Sequence, residues 1–199
     1  MKNIISLFAR LALALTLATG AGAAMAVPTS YHVSINTAKF AAGDGYLDLS
    51  FIGYDGAGAA TAVVSNFVGG AGAPTLVDGT ASGDLSTSAT MVSSGWSIVD
   101  QLIHFGGMVD FDVLFDYAAL GEGTTFAASF YNLDFSQTLF VDGPFATVVL
   151  SSDAASAVTT FAGFVTVSEN AAAVPEPGQW LLMATGLLLI GAMARRRSR

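Results

Sequence analysis

The sequence predicts an all-β domain, a β-sandwich or jelly roll, and three observations predict it. From Tyr31 onward, short β-prone runs alternate with Gly, Asp, Ser and Asn punctuation. Two of those runs alternate apolar and polar residues with period two. Before Trp180 no stretch keeps apolar residues at helical spacing over several turns.

In chain order the predicted strands are 31–36, 46–54, 61–68, 81–85, 96–99, 102–105, 109–117, 125–132, 146–151 and 161–169. Their spacing suits a sandwich or jelly roll. In the second run Leu47, Leu49 and Phe51 alternate with Asp48 and Ser50. In the seventh, Val109, Phe111, Val113 and Phe115 alternate with Asp110, Asp112, Leu114 and Asp116. Each buries one face and wets most of the other. The last run, carrying Phe161, Phe164, Val165 and Val167, is placed to close the sheet, and Ala162-Gly163 predicts a bulge there. The Gly/Ala-rich stretches 57–62 and 69–73 read as loops or a loosely paired edge.

The 199 residues have room for one ordinary domain, because roughly 150 remain once two terminal segments are set aside. Charge is distributed unevenly. Between Val27 and Val174 stand 14 carboxylates, 12 of them Asp, against the single cation Lys39, a net charge of −13. Such a body repels nucleic acid and anionic lipid, which excludes both as partners. With no cysteine, disulfides, Cys-based zinc sites and thiol catalysis are also excluded.

Residues 1–26 have a charged start (Lys2, Arg10), an apolar run from Leu11 to Ala18, and small residues ending in Ala24-Met25-Ala26. This is the pattern of a signal peptide read by the Sec machinery, with cleavage expected after Ala26 at the Ala24-x-Ala26 site. The apolar run is well short of the ~20 residues that span a bilayer.

At the other end, Val174-Pro175-Glu176-Pro177 precedes an apolar stretch, and Arg195-Arg196-Arg197-Ser198-Arg199 follows it. Two prolines around one glutamate cannot enter a helix interior or a sheet ladder, so the segment stays extended and open to an enzyme's cleft. The apolar stretch, about 179–194, would rise only ~23 Å as a helix against a hydrocarbon core of ~30 Å. It therefore spans the inner membrane marginally, with Trp180 suited to the interface. By the positive-inside rule the arginines stay in the cytoplasm and the Pro-Glu-Pro segment faces outward.

This order of parts resembles the PEP-CTERM sorting signal, a Val-Pro-Glu-Pro motif, a Leu- and Gly-rich helix and a terminal Arg cluster recognised by an exosortase. The resemblance covers residues 173–199. It implies processing near Pro175 to Pro177 in a Gram-negative cell that also makes exopolysaccharide, with an inner-membrane intermediate followed by a cell-surface or extracellular destination. The body, 27–172, is similar to that of small PEP-CTERM proteins with a Gly-Tyr/Phe-Leu strand, a Ser-Asn-Phe then Gly-Gly step and an Asp-rich Phe-x-Val-x-Phe strand. Here those are Tyr46 to Phe51, Ser65 to Gly70 and Phe111 to Phe115. That likeness implies no catalytic residues.

The body itself carries little that points to chemistry. His32 and His104 have no Ser or Asp at a spacing that marks a triad, and read as structural or surface residues. Paired carboxylates for glycoside hydrolysis can come from distant strands, but nearly all the acids are Asp, and Glu122 sits in a Gly-Glu-Gly turn. Asp110, Asp112 and Asp116 fall on one strand face, and Asp44 and Asp48 flank a glycine turn. They are oxygen ligands of the kind calcium takes, set against the plainer reading of a solvated acidic face. The glycine-rich run Gly53 to Gly58 lacks the residues of a P-loop and reads as a turn. Trp96, Tyr54, Tyr117 and Tyr131 are either platforms for sugar rings or ordinary packing. The expectation is a non-catalytic exported surface or matrix protein with no cofactor beyond a possible calcium ion. A carbohydrate-binding module of jelly-roll type is the alternative, and a secreted hydrolase the third reading.

Overall fold

A computed structural model describes residues 29–170 apart from 55, 118–122, 152–155 and 162. The predicted signal peptide with Ala24 and Ala26, the 173–199 segment with its predicted helix, and Glu122 lie outside these residues. Among the described residues no helix is long and apolar enough to cross a membrane.

The described chain is all-β. The strands are β1 (Thr29–Asn36), β2 (Asp44–Ile52), β3 (Ala60–Val68), β4 (Leu76–Gly79), β5 (Ser82–Asp84), β6 (Ser88–Val92), β7 (Trp96–His104), β8 (Met108–Tyr117), β9 (Thr125–Tyr131), β10 (Ala146–Val149), β11 (Ala157–Thr160) and β12 (Val165–Asn170). They form two six-stranded sheets, sheet A in the order β12-β1-β8-β3-β6-β5 and sheet B in the order β11-β10-β9-β2-β7-β4. Every ladder is antiparallel. Within them β1 pairs with β8, β2 with β7 and β3 with β6. This nested order is how a jelly roll winds.

The period-two runs do what alternation requires. Leu47, Leu49 and Phe51 from sheet B, and Phe111, Val113 and Phe115 from sheet A, are fully buried between the sheets. Phe51, Phe115 and Phe126 meet with ring centroids 5.6 to 6.4 Å apart at one end of this core. At the other end Phe130 packs on Phe105 and Phe145 at 5.3 and 4.6 Å. Edge-to-face and tilted contacts of this kind add to area burial.

Several predicted boundaries need correction. Ala60, read as part of a loop or loosely paired edge, begins β3 and is buried, one residue before the predicted start of that strand. The run 81–85 holds one short strand, β5, and neither β4 before it nor β6 after it was predicted. The runs 96–99 and 102–105 are one strand, β7. The last run holds one strand, β12, which starts only at Val165 and leaves Phe161, Gly163 and Phe164 outside it, while β11 precedes the run and was not predicted. The register shift lies instead in β3 between Ser65 and Val68, where Asn66 adopts φ 55°. A bulge of this kind turns a side chain that would otherwise follow the alternation.

Candidate functional site

The outer face of sheet A carries the acidic stripe expected from the sequence. Asp110, Asp112 and Asp116 occupy alternate outward positions of β8. Register places His32 opposite Asp112 on one side and Ser65 opposite it on the other. Nδ1 of His32 lies 2.8 Å from Oδ1 of Asp112, and its Nε2 lies 3.8 Å from Oδ1 of Asp110. Asn66, reaching back from the bulge, donates to Oδ2 of Asp112 at 2.7 Å, and Asn170 donates to Oδ1 at 3.5 Å. These donors, the Asn66 amide first and His32 next, hold the Asp112 carboxyl below its ordinary range. Both oxygens of Asp112 are thus occupied by protein groups. Among the described residues, no three or more His, Cys, Asp or Glu side chains converge to hold a metal ion.

Asp44 and Asp48 do not flank a turn: both lie in β2, with Gly45 between them in the strand. An added Cβ at Gly45 would collide with the Tyr131 carbonyl and the Phe105 ring, so the glycine serves close packing rather than chain reversal. Asp44 pairs with His104 at 2.6 Å across the β2–β7 ladder, in the open. Among the described residues each histidine ring has an aspartate as its hydrogen-bond partner, Asp112 for His32 and Asp44 for His104.

The outer face of sheet B holds the feature that sequence reading missed. Asp48 and Asp100 face each other directly in the β2–β7 register. Burial, then the Asp48 charge, pushes the Asp100 carboxyl up to about 7, and burial raises Asp48 as well. They are 52 positions apart in sequence, and Asp100 falls between the predicted runs 96–99 and 102–105, so no local signal marks the pair. Tyr131 on β9 lies near both, and its phenol is raised by burial and then by the two carboxyls.

The aromatic candidates are dispersed. Trp96 starts β7 and is half-exposed, Tyr54 is exposed, and the Tyr117 hydroxyl lies 3.4 and 3.3 Å from the Ser151 carbonyl and the Ser156 hydroxyl. Tyr131 borders an open depression of about 720 Å³ formed with Gln137, Phe140 and Asp142 of the segment after β9. In that segment Phe135 and Phe140 both hold left-handed backbone, at φ 58° and 70°, a conformation that costs bulky residues energy. Phe135 stacks on Tyr46 at 4.5 Å and Phe140 on Phe40 at 3.6 Å, contacts that offset the strain.

Comparison with curated proteins and with solved structures found no match. Residues 173–197 match the family model of the PEP-CTERM protein-sorting motif, which implies an exported protein that passes through a membrane-anchored intermediate and is processed by an exosortase.

Proposed function

We propose that the chain is a non-catalytic cell-surface or extracellular-matrix protein of a Gram-negative cell, trimmed by its exosortase and associated with exopolysaccharide in a biofilm. The sorting motif at 173–197 carries this reading. Pro175, Glu176 and Pro177 offer an extended stretch to the processing enzyme, and Arg195, Arg196 and Arg197 hold the end of the chain at the cytoplasmic side of the inner membrane. The Sec machinery reads the other end, removing residues 1–26. What remains is a self-supporting acidic sandwich whose two histidines are engaged by aspartates. Its negative charge repels an anionic polysaccharide, so association runs through divalent bridging, glycosylation of Ser and Thr, or screening. Fractionating cells with and without exopolysaccharide synthesis tests the proposal. The protein is expected in the matrix of the first and in the medium of the second, and equal partition in both contradicts it.

The depression beside Tyr131 favours a second reading, a carbohydrate-binding module of jelly-roll type. Its lining combines ring faces with the amide of Gln137 and the carboxylate of Asp142, groups that suit a sugar's apolar face and its hydroxyls. Glycan-array binding that is lost on Tyr131→Ala and kept on Trp96→Ala supports it, and binding unchanged on Tyr131→Ala removes it.

A further inference from the structure

Two like charges directly opposite on one sheet face repel, and sheets ordinarily avoid the pairing. Asp48 and Asp100 adopt it in the middle of sheet B, between central strands. Ser129 stands opposite Asp48 on β9, and Leu76 opposite Asp100 on β4. Tyr46 and Ser50 flank Asp48 along β2, while Ile98 and Leu102 flank Asp100 along β7. The two carboxyls therefore project side by side from one face of adjacent strands, as directly opposed residues do. Oδ1 of Asp100 is sealed from solvent, and no donor in the described structure reaches it. A buried acceptor without a donor is costly, and so is an uncompensated buried charge. One proton held between the carboxyls removes both penalties.

The surroundings offer no substitute for that proton. The ionisable groups nearest the pair are Asp78 on β4, Tyr131 on β9 and Tyr46 on β2. Farther along the same two strands, His104 is already engaged by Asp44 at 2.6 Å. Lys39, between β1 and β2, is the sole Lys or Arg among the described residues.

We infer that Asp48 and Asp100 share one proton, and that this proton clasps the outer face of sheet B, so that this face is held in mildly acidic surroundings and loosens as they approach neutrality. The sign follows from linkage. A carboxyl raised in the folded state holds its proton more tightly there than in the unfolded chain. Its contribution is complete below about pH 4 and is lost as the pH rises through about 7, the level to which Asp100 is pushed. Titration belongs to the pair rather than to either residue. The strand most exposed to its loss is β4, an edge strand whose four residues are all exposed and which is held to the sheet by β7 alone.

Melting of the full chain and of Asp48→Asn and Asp100→Asn across this range tests the inference, because asparagine keeps the shape of the protonated acid and cannot ionise. The wild type should lose several degrees of Tm between about pH 5 and about pH 7.5, while each variant changes much less over the same window. Amide exchange in Leu76–Gly79 should quicken with pH, beyond its intrinsic rise, in the wild type alone. A flat wild-type profile, or variants that fall in parallel with it, overturns the inference. Carboxyl-carbon NMR of aspartate-labelled wild type needs no variant. A resonance with an apparent midpoint near pH 7 supports the shared proton, and aspartates that all titrate below about pH 5 refute it.

Discussion

His32 and Asp112 meet across the β1–β8 ladder with 2.8 Å between Nδ1 and Oδ1. The contact ties the strand with the densest run of acids to one of the two histidines in the chain. Asn66 completes it from the other side, and does so because the bulge in β3 swings its side chain toward Asp112. A residue that would read as a spare surface acid is therefore a junction of three strands, with Asn170 of β12 joining at 3.5 Å.

Replacing Asp112 by asparagine should lower unfolding stability by about 1 kcal/mol at neutral pH, the usual size of a lost charge-assisted bond at a partly exposed site. Because the carboxyl is held below its ordinary range, its contribution is present above about pH 4 and disappears as the pH falls through the lowered value. Urea titrations of both forms at neutral pH and near pH 3 check this, with the difference expected to shrink in acid. The trend is opposite in sign to that of the Asp48–Asp100 pair.

Calcium should leave the melting temperature of the exported protein unchanged to within about 1 °C, as should a chelator. Asp112 already accepts from protein donors through both oxygens, which leaves Asp110 and Asp116 without the ligand between them. A melting temperature that climbs with calcium concentration would restore the stripe as a cation site.

Phe130→Ala should destabilise the domain by about 3 to 5 kcal/mol, the range for removing a fully buried aromatic ring. Phe130 is inaccessible to solvent and contacts the rings of Phe105 and Phe145. Denaturant unfolding measures the loss. A cost below about 1 kcal/mol would mean the aromatic cluster is not part of the cooperative core.

Gly79→Ala and Gly72→Ala separate backbone strain from collision. Both glycines have left-handed backbone, at φ 67° and 74°. An added Cβ at Gly79 would run into the Trp96 carbonyl, whereas at Gly72 it would meet nothing within 4 Å. Gly72→Ala should cost about 1 kcal/mol and Gly79→Ala clearly more, read from the same unfolding curves.

The strands with strict alternation were legible in the sequence, and β2 and β8 lie at the centres of the two sheets because alternation marks a half-buried surface. What was missed follows from residues that weaken that signal. Asp100-Gln101 interrupts β7 with two polar residues, yet Gln101 points inward and is held by Thr75 and the Ala73 carbonyl. In β6, Ser88-Ala89-Thr90-Met91-Val92 hides a period of two behind small side chains, although Ala89 and Met91 are fully buried. Strand β11 is exposed along its whole length, so burial gives it no pattern. The Asp48–Asp100 pair depends on the register between β2 and β7, which tertiary pairing sets and no local window contains. The sorting motif, by contrast, is local in sequence, and its order of proline, apolar and arginine segments was readable directly.

Mass spectrometry of the protein recovered from outside the inner membrane tests the central claim most directly. The account predicts a chain that begins at Val27 and ends near Pro175 to Pro177. A mature product that still carries Arg195, Arg196 and Arg197 would contradict it.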